Sequence, residues 1–141
     1  MHVILDTNIM LSALLSPLGT PAKLLAAWER KTFTVVACNA LVAELREVSS
    51  RPFFRTRLRA GAAELLAAGL RDFSFFCREL PAAPDFAEDP KDRYLLALAE
   101  ASQAEFIVTG DKELLSLRRH KSTQIVTPAV MIEILKAEVP E

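Results

Sequence analysis

Four short apolar segments set the strongest constraint on the fold. His2–Leu5, Phe33–Ala37, Phe106–Thr109 and Gln124–Val126 are rich in β-branched residues or phenylalanine, and polar or turn-forming residues bound each of them. Strands buried on both faces of a sheet have this pattern. Phe73–Cys77 is a weaker strand candidate, at an edge. Helical patterns lie between them. Thr20-Pro21 places an N-cap and an N1 proline ahead of Ala22–Arg30, where Leu24, Leu25 and Trp28 form a stripe. Asn39 caps Ala40–Val48, Ala62–Arg71 and Asp92–Ser102 follow, and Thr127-Pro128 opens a last helix through Lys136. Strands alternating with helices argue for βαβ units, hence an α/β fold with a mainly parallel central sheet. The 141 residues fit one domain, 1–141, with Pro81-Ala82-Ala83-Pro84 as a loop that carries the chain across the sheet rather than a linker.

Composition narrows the class. Apolar residues make up 51% and charged residues 25%, ordinary for a globular chain. No apolar run approaches the ~18 residues of a bilayer span, so no membrane association is expected. Met1-His2-Val3-Ile4-Leu5-Asp6 lacks the basic region of a signal peptide, and a cytoplasmic protein is expected. Cys38 and Cys77, with no Cys-x-x-Cys spacing, suggest neither a zinc site nor a disulfide framework. They read as small core hydrophobes.

In an open α/β sheet, ligands bind beyond the carboxyl ends of the strands, where the strand order reverses. Asp6 closes the first strand and Asp111 follows Phe106–Thr109; Asp92 starts the fourth helix, and Glu44 lies in the second turn of the helix after Phe33–Ala37. Each has an ordinary structural use. Asp6 suits an Asx-turn into a loop, and Asp111 suits the N-cap of a short helix, Lys112–Ser116. Asp89 suits an N-cap with Pro90 at N1 and Asp92 at N3, and Glu44 a solvated helix position. Their conjunction carries more weight. Carboxylates crowded in a partly dry cleft repel one another unless they share a cation. Hard oxygen donors without histidine or cysteine select Mg²⁺ or Mn²⁺. Such an ion activates water and neutralises a phosphate oxygen, which suits phosphodiester hydrolysis.

These residues resemble the PIN-domain ribonucleases. Val3-Ile4-Leu5-Asp6-Thr7-Asn8 resembles the family's N-terminal motif. Glu44 in Ala40-Leu41-Val42-Ala43-Glu44-Leu45 is placed like the second acid, Asp92 ahead of Leu95-Leu96-Ala97-Leu98-Ala99 like the third, and Asp111 in Val108-Thr109-Gly110-Asp111 like the last. The likeness runs from Met1 to about Ile134, and four acids in order, each in matching context, make it specific. It implies a three-layer α/β/α sandwich and a Mg²⁺- or Mn²⁺-dependent endoribonuclease. Asp6, Asp92 and Asp111 would be metal ligands, with Glu44 holding a second ion or orienting the attacking water. Asn8 and Thr109 would position these groups, and Glu113 is a weaker additional acid. Leu45-Arg46-Glu47-Val48, Arg51-Pro52-Phe53 and Asp89-Pro90-Lys91-Asp92 are similar to VapC-type toxins. That subgroup implies a toxin of a toxin–antitoxin pair, often a homodimer, held inactive by a cognate antitoxin protein. A catalytically silent PIN scaffold that binds RNA or a protein is the alternative. A signalling receiver domain fits less well, because no acid ends Phe33–Ala37 and no Lys-Pro pair exists.

A formal net charge of −1 gives no overall attraction to RNA. Local charge differs: Arg46, Arg51, Arg55, Arg57 and Arg59 crowd one segment, and Arg118, Arg119, His120 and Lys121 another. Both runs suit phosphate oxygens of single-stranded or structured RNA, and equally suit a merely soluble surface. His120 is expected to be exposed, His2 structural, and Trp28 and Tyr94 part of core stripes. The breadth of Leu24, Leu25, Ala27 and Trp28 suits burial in the monomer or a face for a second copy or an antitoxin helix.

Overall fold

The computed structural model describes residues 1–83 and 89–138. The chain runs β1 (His2–Leu5), α1 (Thr7–Leu15), α2 (Thr20–Glu29), β2 (Thr34–Cys38), α3 (Asn39–Ser49), α4 (Pro52–Arg55), α5 (Ala62–Asp72) and β3 (Phe75–Cys77). It continues through α6 (Pro90–Ser102), β4 (Phe106–Val108), α7 (Lys112–Leu117), β5 (Arg119–His120), β6 (Thr123–Val126) and α8 (Pro128–Glu138). One six-stranded sheet has the order β3-β2-β1-β4-β6-β5. Every pairing is parallel except β5 with β6.

The central strands are apolar on both faces because helices flank the sheet on both. Val3, Ile4, Leu5, Ile107 and Val108 have no exposed surface. Right-handed crossovers require this arrangement. The steps β1 to β2 to β3 move one way across the sheet, and the step from β3 to β4 moves back past β1; right-handed connections then put the helices of the two directions on opposite faces. The strand order therefore reverses between β1 and β4. Their register pairs Val3 with Phe106, Ile4 with Ile107 and Leu5 with Val108. The Asp6 amide extends the ladder by donating to Val108 O at 2.9 Å. That bond delivers the chain after β1 and the chain after β4 to one crevice.

Several local expectations change. Asp6 does not open a loop: α1 starts at the next residue, with Asp6 extended in the N-cap position and its side chain making no cap hydrogen bond. This helix has only a narrow exposed polar strip, Asn8 and Ser12, because Thr7, Ile9, Met10, Leu11 and Ala13 are all buried. Asn39 is the first residue of α3, and Cys38 takes the cap position. The arginine-rich segment contains α4, a single turn opened by Pro52. His120 is buried, not exposed: it lies on β5, and its ring meets Glu100 Oε2 at 2.8 Å. Cys38 and Cys77, distant in sequence, are register partners across β2 and β3, and both are free thiols. Burial raises the pKa of each, so neither is poised to react. Of the crossing loop, Pro84 falls among residues 84–88, outside the described residues. No single described helix is long and apolar enough to cross a membrane.

Ile107 is a central load of this core. The Ile107→Ala variant should lose about 2–5 kcal/mol in urea unfolding. Leu65→Ala, at a position 76% exposed, should stay within about 0.5 kcal/mol of wild type.

Candidate metal centre

Asp6 is fully buried at the carboxyl end of β1. Its Oδ2 accepts from Thr109 Oγ1 at 2.7 Å and lies 3.0 Å from Lys91 Nζ. Its Oδ1 is buried and has no hydrogen-bond partner. Thr109, just past β4, is fixed in turn: its amide donates to Val126 O at 3.0 Å, and its hydroxyl accepts the Asp111 amide at 3.0 Å. One threonine thus ties the acid after β1 to the acid after β4. Asp111 caps α7 through Oδ1, which accepts the Glu113 amide at 2.9 Å, and its Oδ2 faces Lys91 Nζ at 3.9 Å.

Asp92 arrives from α6. Asp89 caps that helix by accepting the Lys91 amide at 2.9 Å, and Pro90 sits in the first turn. Asp92 is 7% exposed, and its Oδ1 is buried without a partner. Burial, then the charges of Asp111 and Asp89, push its pKa up to about 6. Glu44, half-buried on α3, accepts a hydrogen bond from the Tyr94 hydroxyl of α6. Burial raises the Glu44 pKa, the Tyr94 bond opposes that rise, and the charge of Asp6 adds to it. Tyr94 is pushed above its ordinary range by burial and by its bond to Glu44. The Thr7 hydroxyl lies close to Glu44 and Tyr94 but has no partner of normal hydrogen-bond geometry.

The four acids named from the sequence therefore share one electrostatic neighbourhood. Asn8 does not join it: this residue is exposed and has no side-chain hydrogen bond among the described residues. Glu113 is exposed in the first turn of α7 and reaches Asp92 only through its charge. Sequence reasoning missed two members. Tyr94, read as core, holds Glu44 from 50 residues away. Lys91 sits between the acids, and burial would lower its pKa, but Asp6, Glu44 and Asp111 carry it upward overall. A lysine in the first turn opposes the helix dipole, the one local sign that a nearby acid claims it.

Do these residues fit a divalent cation? The donors are hard carboxylate oxygens, two of them buried and unpartnered, and a cation, the Lys91 ammonium, already lies within 4 Å of two of the acids. Among the described residues no three Asp, Glu, His or Cys side chains are drawn together at metal-holding spacing. The chemistry fits, with the ammonium standing beside two of the carboxylates that an ion would use.

A mainly parallel sheet with acids gathered at its switch point defines an α/β protein with an acidic crevice at the carboxyl edge. The PIN domain model matches residues 2–113, and the chain belongs to the PIN domain family. PIN domains are commonly nucleases, and PIN nucleases typically use divalent metals. Among solved structures, the chain is similar to the PIN domain of human SMG5, with 14% identity, coverage of 97% of this chain and 98% of that one, and a TM-score of 0.46. No curated protein matches the chain.

The raised Asp92 pKa fixes the sign of a pH effect. A carboxyl whose folded pKa, about 6, exceeds its unfolded value binds protons more tightly when folded. Stability should therefore rise as pH falls from about 7.5 toward about 5, by on the order of 1–3 kcal/mol in EDTA. Asp92→Asn should flatten most of that rise and be the more stable protein at neutral pH; chemical unfolding across pH checks both. Glu44 contributes a smaller rise of the same sign.

Proposed function

We propose that this PIN domain is a Mg²⁺- or Mn²⁺-dependent endoribonuclease. The observation that carries the reading is the pair of buried, unpartnered oxygens on Asp6 and Asp92 beside Asp111, at the sheet's switch point. Asp6, Asp92 and Asp111 would hold the ion. When bound, it would neutralise a phosphate oxygen and acidify a water. Thr109 orients Asp6 by occupying Oδ2, which leaves Oδ1 for the cation. Glu44, its pKa raised by burial and its geometry held by Tyr94, is suited to take the proton of an attacking water. Hydrolysis by in-line attack leaves a 5′-phosphate and a 3′-hydroxyl.

RNA as substrate is supported by the α3–α4 surface. Arg46, Arg55 and Arg59 are exposed and make no ion pair among the described residues, whereas Arg51 is held by Glu47 at 2.8 Å. Phe53 is 54% exposed, and the Arg57 guanidinium lies 4.0 Å from its ring centroid. An exposed ring with a stacked arginine among free cations suits an unpaired base and its phosphates. The second basic run is less available, because His120 and Lys121 both pair with Glu100.

The finer reading is a toxin of a toxin–antitoxin pair. It rests on the likeness of Leu45–Val48, Arg51–Phe53 and the Asp89–Asp92 turn to VapC-type toxins. An open groove of about 880 Å³ between α2 and α5, lined in part by Leu25, Trp28, Leu65 and Phe73, suits a protein partner, either an antitoxin or a second copy. A single domain working in the cytoplasm fits this reading.

Purified protein incubated with labelled single-stranded RNA should cleave it with Mn²⁺ or Mg²⁺ and not with EDTA. Asp6→Asn should remove nearly all cleavage while remaining folded, and Glu44→Gln should lose about 10²–10⁴-fold in kcat. Cyclic 2′,3′-phosphate ends would overturn the mechanism. Ion binding without cleavage of any RNA would favour the silent scaffold. Phe53→Ala should weaken single-stranded RNA binding by about 1–3 kcal/mol in a filter-binding or anisotropy titration, without altering the ion requirement.

A further inference from the structure

The four-carboxylate reading leaves one residue of the centre without a task. Lys91 is only 17% exposed, and its ammonium meets Asp6 Oδ2 at 3.0 Å and Asp111 Oδ2 at 3.9 Å. Nothing local favours that placement: the first turn of a helix repels a cation, and burial strips water from it. The backbone of Lys91 is fixed all the same, since Asp89 accepts its amide at 2.9 Å. The side chain is thus aimed across the mouth of the crevice, where it links an acid after β1 to an acid after β4.

We propose that Lys91 is the resident counter-ion of the unloaded centre and competes with the divalent cation for the same carboxylates. This inference rests on the metal-dependent reading above. Without a divalent ion, the ammonium holds Asp6 and Asp111 together against their mutual repulsion. A divalent ion that shares Asp6 with it meets a like charge a few ångströms away, where water screens poorly. The four-carbon stem of lysine lets the ammonium move off without moving α6. Lys91 is therefore a positioning residue that sets the ion concentration at which the centre loads, and it keeps the nuclease unloaded when divalent ions are scarce.

The test is Mn²⁺ binding by calorimetry, with wild type, Lys91→Met, Lys91→Arg and Asp6→Asn side by side. Lys91→Met should bind Mn²⁺ at least tenfold more tightly than wild type, and Lys91→Arg, which keeps the charge, should stay near wild type. In EDTA, Lys91→Met should melt at a lower temperature than wild type and gain more from added Mn²⁺. Equal or weaker binding by Lys91→Met, with binding still lost in Asp6→Asn, overturns the counter-ion role and leaves the metal reading intact. Absence of binding in both wild type and Lys91→Met overturns the metal reading and the counter-ion role with it. A measurement on the wild type alone covers the case of a variant that does not fold. The ¹⁵N resonance of the Lys91 ammonium should shift as Mg²⁺ is added, and a resonance that stays fixed while the protein binds Mg²⁺ overturns the proposal.

Discussion

A carboxylate with no exposed surface stands at the end of β1 because two groups meet it there. The hydroxyl of Thr109 and the ammonium of Lys91 both reach Asp6 Oδ2, at 2.7 and 3.0 Å. An ion pair of this kind contributes little when compared with a well-packed apolar pair, yet removing one partner costs several kcal/mol, since the other is left buried and unbalanced. The arrangement is therefore poor as a source of stability and useful as a holder of charge. It keeps acids from three separate stretches of chain at one sheet edge, two of them, Asp6 and Asp92, with a buried oxygen that has no partner.

The sheet makes that gathering possible. β1 and β4 pair in parallel although about a hundred residues of chain separate them, and the ladder continues through the Asp6 amide. Past that point the chain turns into α1 on one side and toward α7 on the other. α6 returns across the sheet to bring Lys91, Asp92 and Tyr94 to the same edge, and Tyr94 then reaches Glu44 on α3. The elements that meet at the switch point together deliver these polar groups, and the strands behind them are apolar and buried.

Much of this was legible in the chain itself. Buried parallel strands announce themselves as β-branched apolar runs, so β1, β2, β4 and β6 are readable to within a residue or two, and β3 is readable as the weak edge it is. Helix α1 was not, because apolar residues cover most of it and leave only Asn8 and Ser12 as a polar strip, too short for a period to be counted. α4 and β5 are too short to carry a period at all. Asp6, Asp92 and Asp111 stood out because each follows a strand or opens a helix, and Glu44 because it lies within two turns of the strand end that precedes its helix. Lys91, Tyr94 and His120 did not, because their roles are set by partners 20 to 85 residues away. Periodicity reports which face of an element is buried, and it is silent on which buried face meets a charge.

The acids at the switch point should hold a divalent ion beside the place that the Lys91 ammonium takes on Asp6. Crystals grown with Mn²⁺ and measured at a wavelength where manganese scatters anomalously test this directly. An anomalous peak bonded to Asp6 Oδ1 and to Asp92 or Asp111, with the Lys91 ammonium moved off Asp6, is the expected result. Density with Lys91 still on Asp6 Oδ2 and no peak beside the acids, at a Mn²⁺ concentration that supports RNA cleavage, would contradict it.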